Sequence, residues 1–280
     1  MIFKKVDLAK EYAVAGGTLD CMASTVFFDD DNNAKVRRPA VIVVPGGGYG
    51  CVCHREGEPI ALEFLARGFQ TFELTYTVGG ENGMSYPEQL IELGAAVDYI
   101  KKHAEEFRVN PDEVFAVGFS AGGHLVANLA VEWMKIPQKA GIPLDCKPAG
   151  VGLSYPVISK AYGHAFSHEN LLSGYTDEAQ AELLKTVNLD KSVTKDTAPA
   201  FIWATAEDQI VPAENSLQFA LSCARQGVPY ELHIYPRGWH GFSTCKREIN
   251  PEFPDLARME KWLDDCSAFF RIFTKPNFAL

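Results

Sequence analysis

Residues 40–44 are apolar at every position and mostly β-branched, and they run into Pro45 and three successive glycines. That pattern predicts a strand covered on both faces rather than one. The stretch before it predicts one or two antiparallel strands. Over residues 59–67, Ala61, Phe64 and Leu65 share a helical face, Gly68 is a natural stop, and residues 71–76 are extended, so the unit reads strand, helix, strand. Ser85 and Glu88 have the spacing of a capping box, and Leu90, Leu93, Val97, Ile100, Ala104 and Phe107 keep one helical face behind it.

Asn110-Pro111-Asp112 predicts a turn, residues 114–117 a short buried strand, and a helix of small residues begins behind Ser120. Further strands are predicted at 150–155, 200–205 and 230–235. Leu217, Ala220, Leu221 and Ala224, then Leu256, Met259, Leu263, Cys266 and Phe270, stand at helical spacing. Alternation of this kind predicts an α/β protein with a mostly parallel central sheet and helices on both faces. The polar stretch 157–198, with His164, His168 and Asn170, is longer than a strand connection needs and is expected to be an insertion or small lid over the active-site edge of one domain spanning 1–280.

Composition narrows the function. With 47% hydrophobic residues over 280 positions, the chain can bury a large core, which excludes a disordered or disulfide-stapled class. Lysine and arginine number 26 against 36 acidic residues, for a formal charge of −10. With no long basic run, nucleic acid and anionic membranes are excluded as expected partners. Seven scattered cysteines without CxxC spacing point to reduced thiols, and the N-terminus carries no signal-like or spanning apolar stretch, so a cytoplasmic protein is expected. The apolar pattern isolates no interface, and a homodimer is compatible with it.

Gly118-Phe119-Ser120-Ala121-Gly122 is a G-x-S-x-G between a predicted strand and helix, the setting in which a serine hydroxyl is held above a sheet. Alone, it also describes a glycine-rich turn. A serine nucleophile needs a base and an acid behind that base. His240 follows the last predicted strand in a glycine-flanked loop, and Asp208 follows the strand at 200–205, with Glu207 as the competing acid. His54 and His124 are candidates for lining the pocket, whereas His233 and His103 read as packed and solvated. The backbone N–H groups of Gly47 and Gly48, with that of Ala121, are the expected oxyanion donors. No HExxH and no clustered ligand spacing points to a metal, and the chemistry calls for no cofactor.

Together PGGGY, GFSAGGH, EDQIVP and WHGF resemble the α/β-hydrolase superfamily, in its esterase/lipase branch with acetylxylan-esterase-like and sugar-acetyl-esterase-like proteins, over residues 39–270. The resemblance implies an α/β-hydrolase fold, with Ser120 as nucleophile, Asp208 as acid, His240 as base, and Gly47, Gly48 and Ala121 as the oxyanion hole. Pro45 stands where the HGGG-type loop has histidine. An R-E-x-x-P pattern is matched by Arg55, Glu56 and Pro59, leaving Arg55 either to contact a polyol or to pair with Glu56 or another carboxylate. Tyr49, Trp239 and Tyr155 are further substrate-binding candidates by position. Residues 1–38 are strand-like and polar rather than a helical cap. The implied function is hydrolysis of small acyl esters, acetyl first, of acetylated sugars among others. A peptidase or thioesterase with the same residues, and a non-catalytic ligand-binding protein of the same fold, are the alternatives; a chain of this length leaves no room for the propeller of oligopeptidase relatives.

Overall fold

In the computed structural model, which describes residues 1–27, 35–79, 83–253 and 256–275, the apolar run after Arg38 divides its side chains between two cores. Ala40, Ile42 and Val44 enter one, while Val41 and Val43 enter the other. Side chains of successive strand residues point to opposite faces, so a continuous apolar run demands cover on both. Residues 28–34, inside the segment expected to be strand-like and polar, lie outside those described.

The strands are β1 (Ile2–Asp7), β2 (Thr18–Ala23), β3 (Arg38–Val44), β4 (Gln70–Thr75), β5 (Val109–Phe119), β6 (Gly150–Ser154), β7 (Ala200–Thr205) and β8 (Tyr230–Tyr235). They form one sheet in the order β1-β2-β4-β3-β5-β6-β7-β8. β1 and β2 pair antiparallel, as do β2 and β4, and every later pair is parallel. The helices are α1 (Leu8–Glu11), α2 (Glu58–Ala66), α3 (Glu88–Lys102), α4 (Ala104–Phe107), α5 (Ala121–Glu132), α6 (Ile136–Ala140), α7 (Ala165–Leu171), α8 (Asp177–Val187), α9 (Glu214–Gln226) and α10 (Trp262–Arg271). Ile60, Ala61 and Phe64 of α2 and Trp262, Leu263, Cys266 and Phe270 of α10 cover one face of the sheet, and residues of α3, α5 and α9 cover the other.

Three local expectations change. The capping box does not form: Pro87 precedes α3 without a side-chain cap, and the Ser85 hydroxyl instead accepts from Gly174 N–H. The predicted turn at 110–112 lies inside β5, where the register slips between the Arg38–Val109 and Ala40–Val114 pairs; an Asx contact from Asn110 to Asp112 N–H shapes the bulge. The helix expected to be amphipathic, α3, is buried from Gln89 to Ile100. Its outer side is covered by the N-terminal segment, with Tyr12 donating to Asp98 at 2.6 Å, and by Ile136 of α6 against Gly94.

The stretch 157–198 carries α7 and α8 between β6 and β7, at the carboxyl ends of the strands. In open α/β sheets that end is where ligands bind.

Glu92 of α3 is buried and accepts from Thr77 N–H and Oγ1, both at 2.8 Å. Burial raises its pKa from the usual 4.5 to about 7, and the Thr77 hydrogen bonds offset only part of that rise. The folded state therefore holds this proton more tightly than the unfolded chain. The resulting stability is fully present below about pH 4.5 and lost as pH rises through about 7. Glu92→Gln is expected to flatten that decline in urea unfolding, by up to about 3 kcal/mol across the window. Equal pH slopes in the two proteins would contradict it.

Candidate active site

Ser120 stands between the end of β5 and the start of α5 with φ 53° and ψ −117°, a left-handed backbone that costs a non-glycine residue about 1–3 kcal/mol. Close packing holds it there. A Cβ on Gly118 would come within 2.2 Å of Gly122 O, and one on Gly122 within 2.3 Å of Pro45 O, so the turn closes only with glycine at both places. Ser120 N–H donates to Ser154 O at 3.0 Å, and its carbonyl accepts from His124 N–H at 3.0 Å and Val157 N–H at 3.1 Å.

The loops after β7 and β8 bring the other two groups to this turn. His240 Nε2 is 2.8 Å from Ser120 Oγ, and Nδ1 is 2.7 Å from Asp208 Oδ2. Asp208 Oδ1 accepts from the N–H groups of Ile210 and Val211, both at 2.9 Å. Those contacts leave Oδ2 as the acceptor for Nδ1–H, which makes Nε2 the lone-pair nitrogen facing the hydroxyl. Glu207 is exposed and turns to Gly238 N–H at 3.2 Å, away from the imidazole.

Every carbonyl of the glycine loop is engaged: Pro45 O by Tyr76 Oη, Gly46 O by Cys53 N–H, Gly47 O by the N–H groups of Gly50 and Cys51, and Gly48 O by Asn170 Nδ2. A trans peptide points its N–H opposite its carbonyl. The N–H groups of Gly47 and Gly48 make no protein hydrogen bond among the described residues. A cleft of about 250 Å³ adjoins them, lined by both glycines, Ser120, His240 and Gly241, with Cys51, Cys53, Arg55, Glu56, His164, Phe166 and Ile210. A larger groove of about 720 Å³ lies at the opposite end of the strands, around Pro148, Pro199 and Pro229, and holds no serine or histidine. Among the described residues no group of three or more His, Cys, Asp or Glu side chains is arranged to hold a metal ion, and no helix is long and apolar enough to cross a membrane.

The sequence matches the BD-FAE family over residues 28–139 and the Prolyl oligopeptidase family over residues 92–268. The chain belongs to the α/β-hydrolase superfamily. It is similar to endo-1,4-beta-xylanase B of Butyrivibrio fibrisolvens, at 38% identity over 227 residues, covering 78% of this chain and 34% of that protein. It is also similar to an acetylxylan esterase of Xylanibacter ruminicola, at 30% identity over 209 residues, 72% of this chain and 41% of that one. The chain thus spans between 34% and 41% of the length of these curated relatives. Among solved structures, an acetyl ester-xyloside bifunctional hydrolase from Caldicellulosiruptor lactoaceticus superposes with a TM-score of 0.74 at 29% identity, covering 92% of this chain and 88% of that one.

Within this α/β-hydrolase, several positions expected at the substrate lie elsewhere. Tyr49 is buried beneath the glycine loop, where its hydroxyl meets His124 Nδ1 at 2.8 Å. His124 is itself buried, its other nitrogen facing Val187 O, and burial lowers its pKa to about 4; it is not among the residues lining the cleft. Tyr155 is also buried, with its ring edge-on to His240 at 5.0 Å. Trp239 is exposed but stacks on Phe242, outside the cleft lining. His54 is exposed beside Glu73 rather than in the cleft. Arg55 does line the cleft, laid against Gly241, where a Cβ would stand 2.5 Å from its Nη2; it makes no ion pair with Glu56 among the described residues.

The cleft's aromatic wall is instead Phe166, at the start of α7 and 56% exposed, with His164 before it. Burial holds the His164 imidazole below its usual pKa, and the neighbouring His240 adds to that. Asn170, on the same helix, fixes the Gly48 carbonyl. The expectation of 157–198 near the site, with His164 and Asn170 named in it, was the signal for these residues, and nothing in the stretch singled out Phe166.

Gly47 has φ 129°, and a Cβ there would meet Cys51 O at 2.1 Å. Gly47→Ala is therefore expected to lower the unfolding free energy by about 1–3 kcal/mol. Denaturant unfolding checks this, and an unchanged midpoint and slope would show that the loop tolerates the methyl group.

Proposed function

We propose that the chain is a serine carboxylesterase acting on small acyl esters, acetyl esters first, through Ser120, His240 and Asp208. The observation that carries this reading is the unbroken hydrogen-bonded chain from Asp208 through His240 to the Ser120 hydroxyl, facing two unspent backbone amides. His240 Nε2 takes the serine proton as Oγ attacks the ester carbonyl, and the proton then passes to the departing alcohol. Asp208 holds the tautomer and stabilises the imidazolium. The N–H groups of Gly47, Gly48 and Ala121 bind the oxyanion, and water repeats the cycle on the acyl-serine.

A short acyl group is supported by the cleft's size, below the usual range for drug-sized ligands, and by the acetyl-ester activities in the names of its relatives. For an acetylated sugar as the alcohol, the exposed ring of Phe166 is the stacking surface at hand, and Arg55 supplies donors to hydroxyls. The match to the Prolyl oligopeptidase family favours one second reading, hydrolysis of an amide by the same groups.

Ser120→Ala is expected to lose nearly all turnover of p-nitrophenyl acetate, a fall of several orders of magnitude. Parent-like turnover in that variant would refute the nucleophile. A panel of acetylated xylooligosaccharides, longer p-nitrophenyl esters and aminoacyl p-nitroanilides separates the esterase reading from the amide one: acetyl esters are expected to have the highest kcat/KM, and faster anilide cleavage would reverse the assignment.

A further inference from the structure

Glu56 is a carboxylate buried at 3% exposure on the floor of the cleft, in the 3₁₀ turn His54–Glu56. No lysine or arginine forms an ion pair with it among the described residues. Burying a charge without a cation is costly unless hydrogen bonds replace water. Here they do: Oε2 accepts from Gly46 N–H at 2.9 Å, and Oε1 accepts from Tyr155 Oη at 2.8 Å. Burial raises the pKa of Glu56 above the usual carboxylate range, and the Tyr155 and Gly46 hydrogen bonds, with His240 and Arg55 nearby, offset part of that rise, so the charge on Glu56 is coupled to that on His240.

The two partners belong to opposite sides of the site. Gly46 precedes the glycines of the proposed oxyanion hole. The Tyr155 hydroxyl accepts in turn from Ser243 N–H at 2.9 Å, on the loop that carries His240. A second tie runs from Ser243 Oγ to Arg55 O at 2.5 Å. A Cβ on Gly241, next to the base, would stand 3.8 Å from Glu56 Oε1, so the carboxyl group lies against the loop that carries His240. The other groups facing it are the guanidinium of Arg55, the phenols of Tyr155 and Tyr76, and the thiol of Cys53.

We infer that Glu56 is a positioning residue: it fixes the distance between the oxyanion loop and the base loop, and it is a second carboxylate, besides Asp208, that favours the imidazolium form of His240. This rests on the reading of Ser120 and His240 as nucleophile and base. Two separable effects follow. Removing the charge while keeping the shape makes the imidazole harder to protonate. Keeping the charge on a shorter arm loosens the tie to Gly46 and Tyr155.

The test is the pH dependence of p-nitrophenyl acetate hydrolysis by the parent, Glu56→Gln and Glu56→Asp, with kcat and KM resolved. Glu56→Gln is expected to move the acid limb of kcat/KM to lower pH by roughly one unit. Glu56→Asp is expected to keep the parent limb while kcat falls roughly ten- to hundredfold with KM little changed. An acid limb unmoved in Glu56→Gln overturns the electrostatic role, and a parent-like kcat in Glu56→Asp overturns the positional one. If Glu56→Gln does not fold, the Glu56→Asp result alone decides the positional role, on which the inference then stands or falls. Failure of the esterase reading looks different: the parent itself turns over no ester at any pH.

Discussion

The site depends on a single strained residue. Ser120 adopts a left-handed backbone because β5 must pass directly into α5, and the packing of Gly118 against Gly122, and of Gly122 against Pro45, leaves no wider path. This geometry brings the hydroxyl to 2.8 Å from His240 Nε2, at the cleft that Gly47 and Gly48 also line. Its cost is met by the surrounding order: parallel strands on either side, a carbonyl anchored by two N–H groups, and a helix buried along its whole length. Without that turn, His240 and Asp208 would face empty backbone.

Around it, the sheet acts as a jig. Groups separated by 120 and 32 positions in the chain meet because β5, β7 and β8 end at the same edge. The glycine loop after β3 reaches that edge from the other side, and its carbonyls are taken up by Tyr76, Cys53, Gly50, Cys51 and Asn170, which leaves its amides directed to the cleft. Asn170 comes from α7, so the segment between β6 and β7 both walls the cleft with Phe166 and steadies the loop.

The fold was legible where side-chain patterning alone decides. The β-branched run ended by Pro45 marked β3, the apolar run 114–117 ended by Gly118 marked β5, and the chain order of Ser120, Asp208 and His240 told which loops would converge. The cleft walls were not legible, because they depend on which side of a loop packs downward. Tyr49 and Tyr155 look like ligand contacts by position, yet their phenols are drawn beneath the floor by His124, Glu56 and Ser243. Glu56 looked like a surface partner for Arg55. Its burial follows from contacts to Gly46 and to Tyr155, the latter 99 positions away, which no local spacing encodes.

The central claim is that Ser120 is a nucleophile activated by His240. Treatment of the folded protein with diisopropyl fluorophosphate, followed by peptide mass analysis, tests it most directly. One phosphoryl adduct is expected, on the peptide containing Ser120, formed rapidly in the parent and very slowly in His240→Ala. An adduct on another residue, or equal labelling rates in the two proteins, would contradict it.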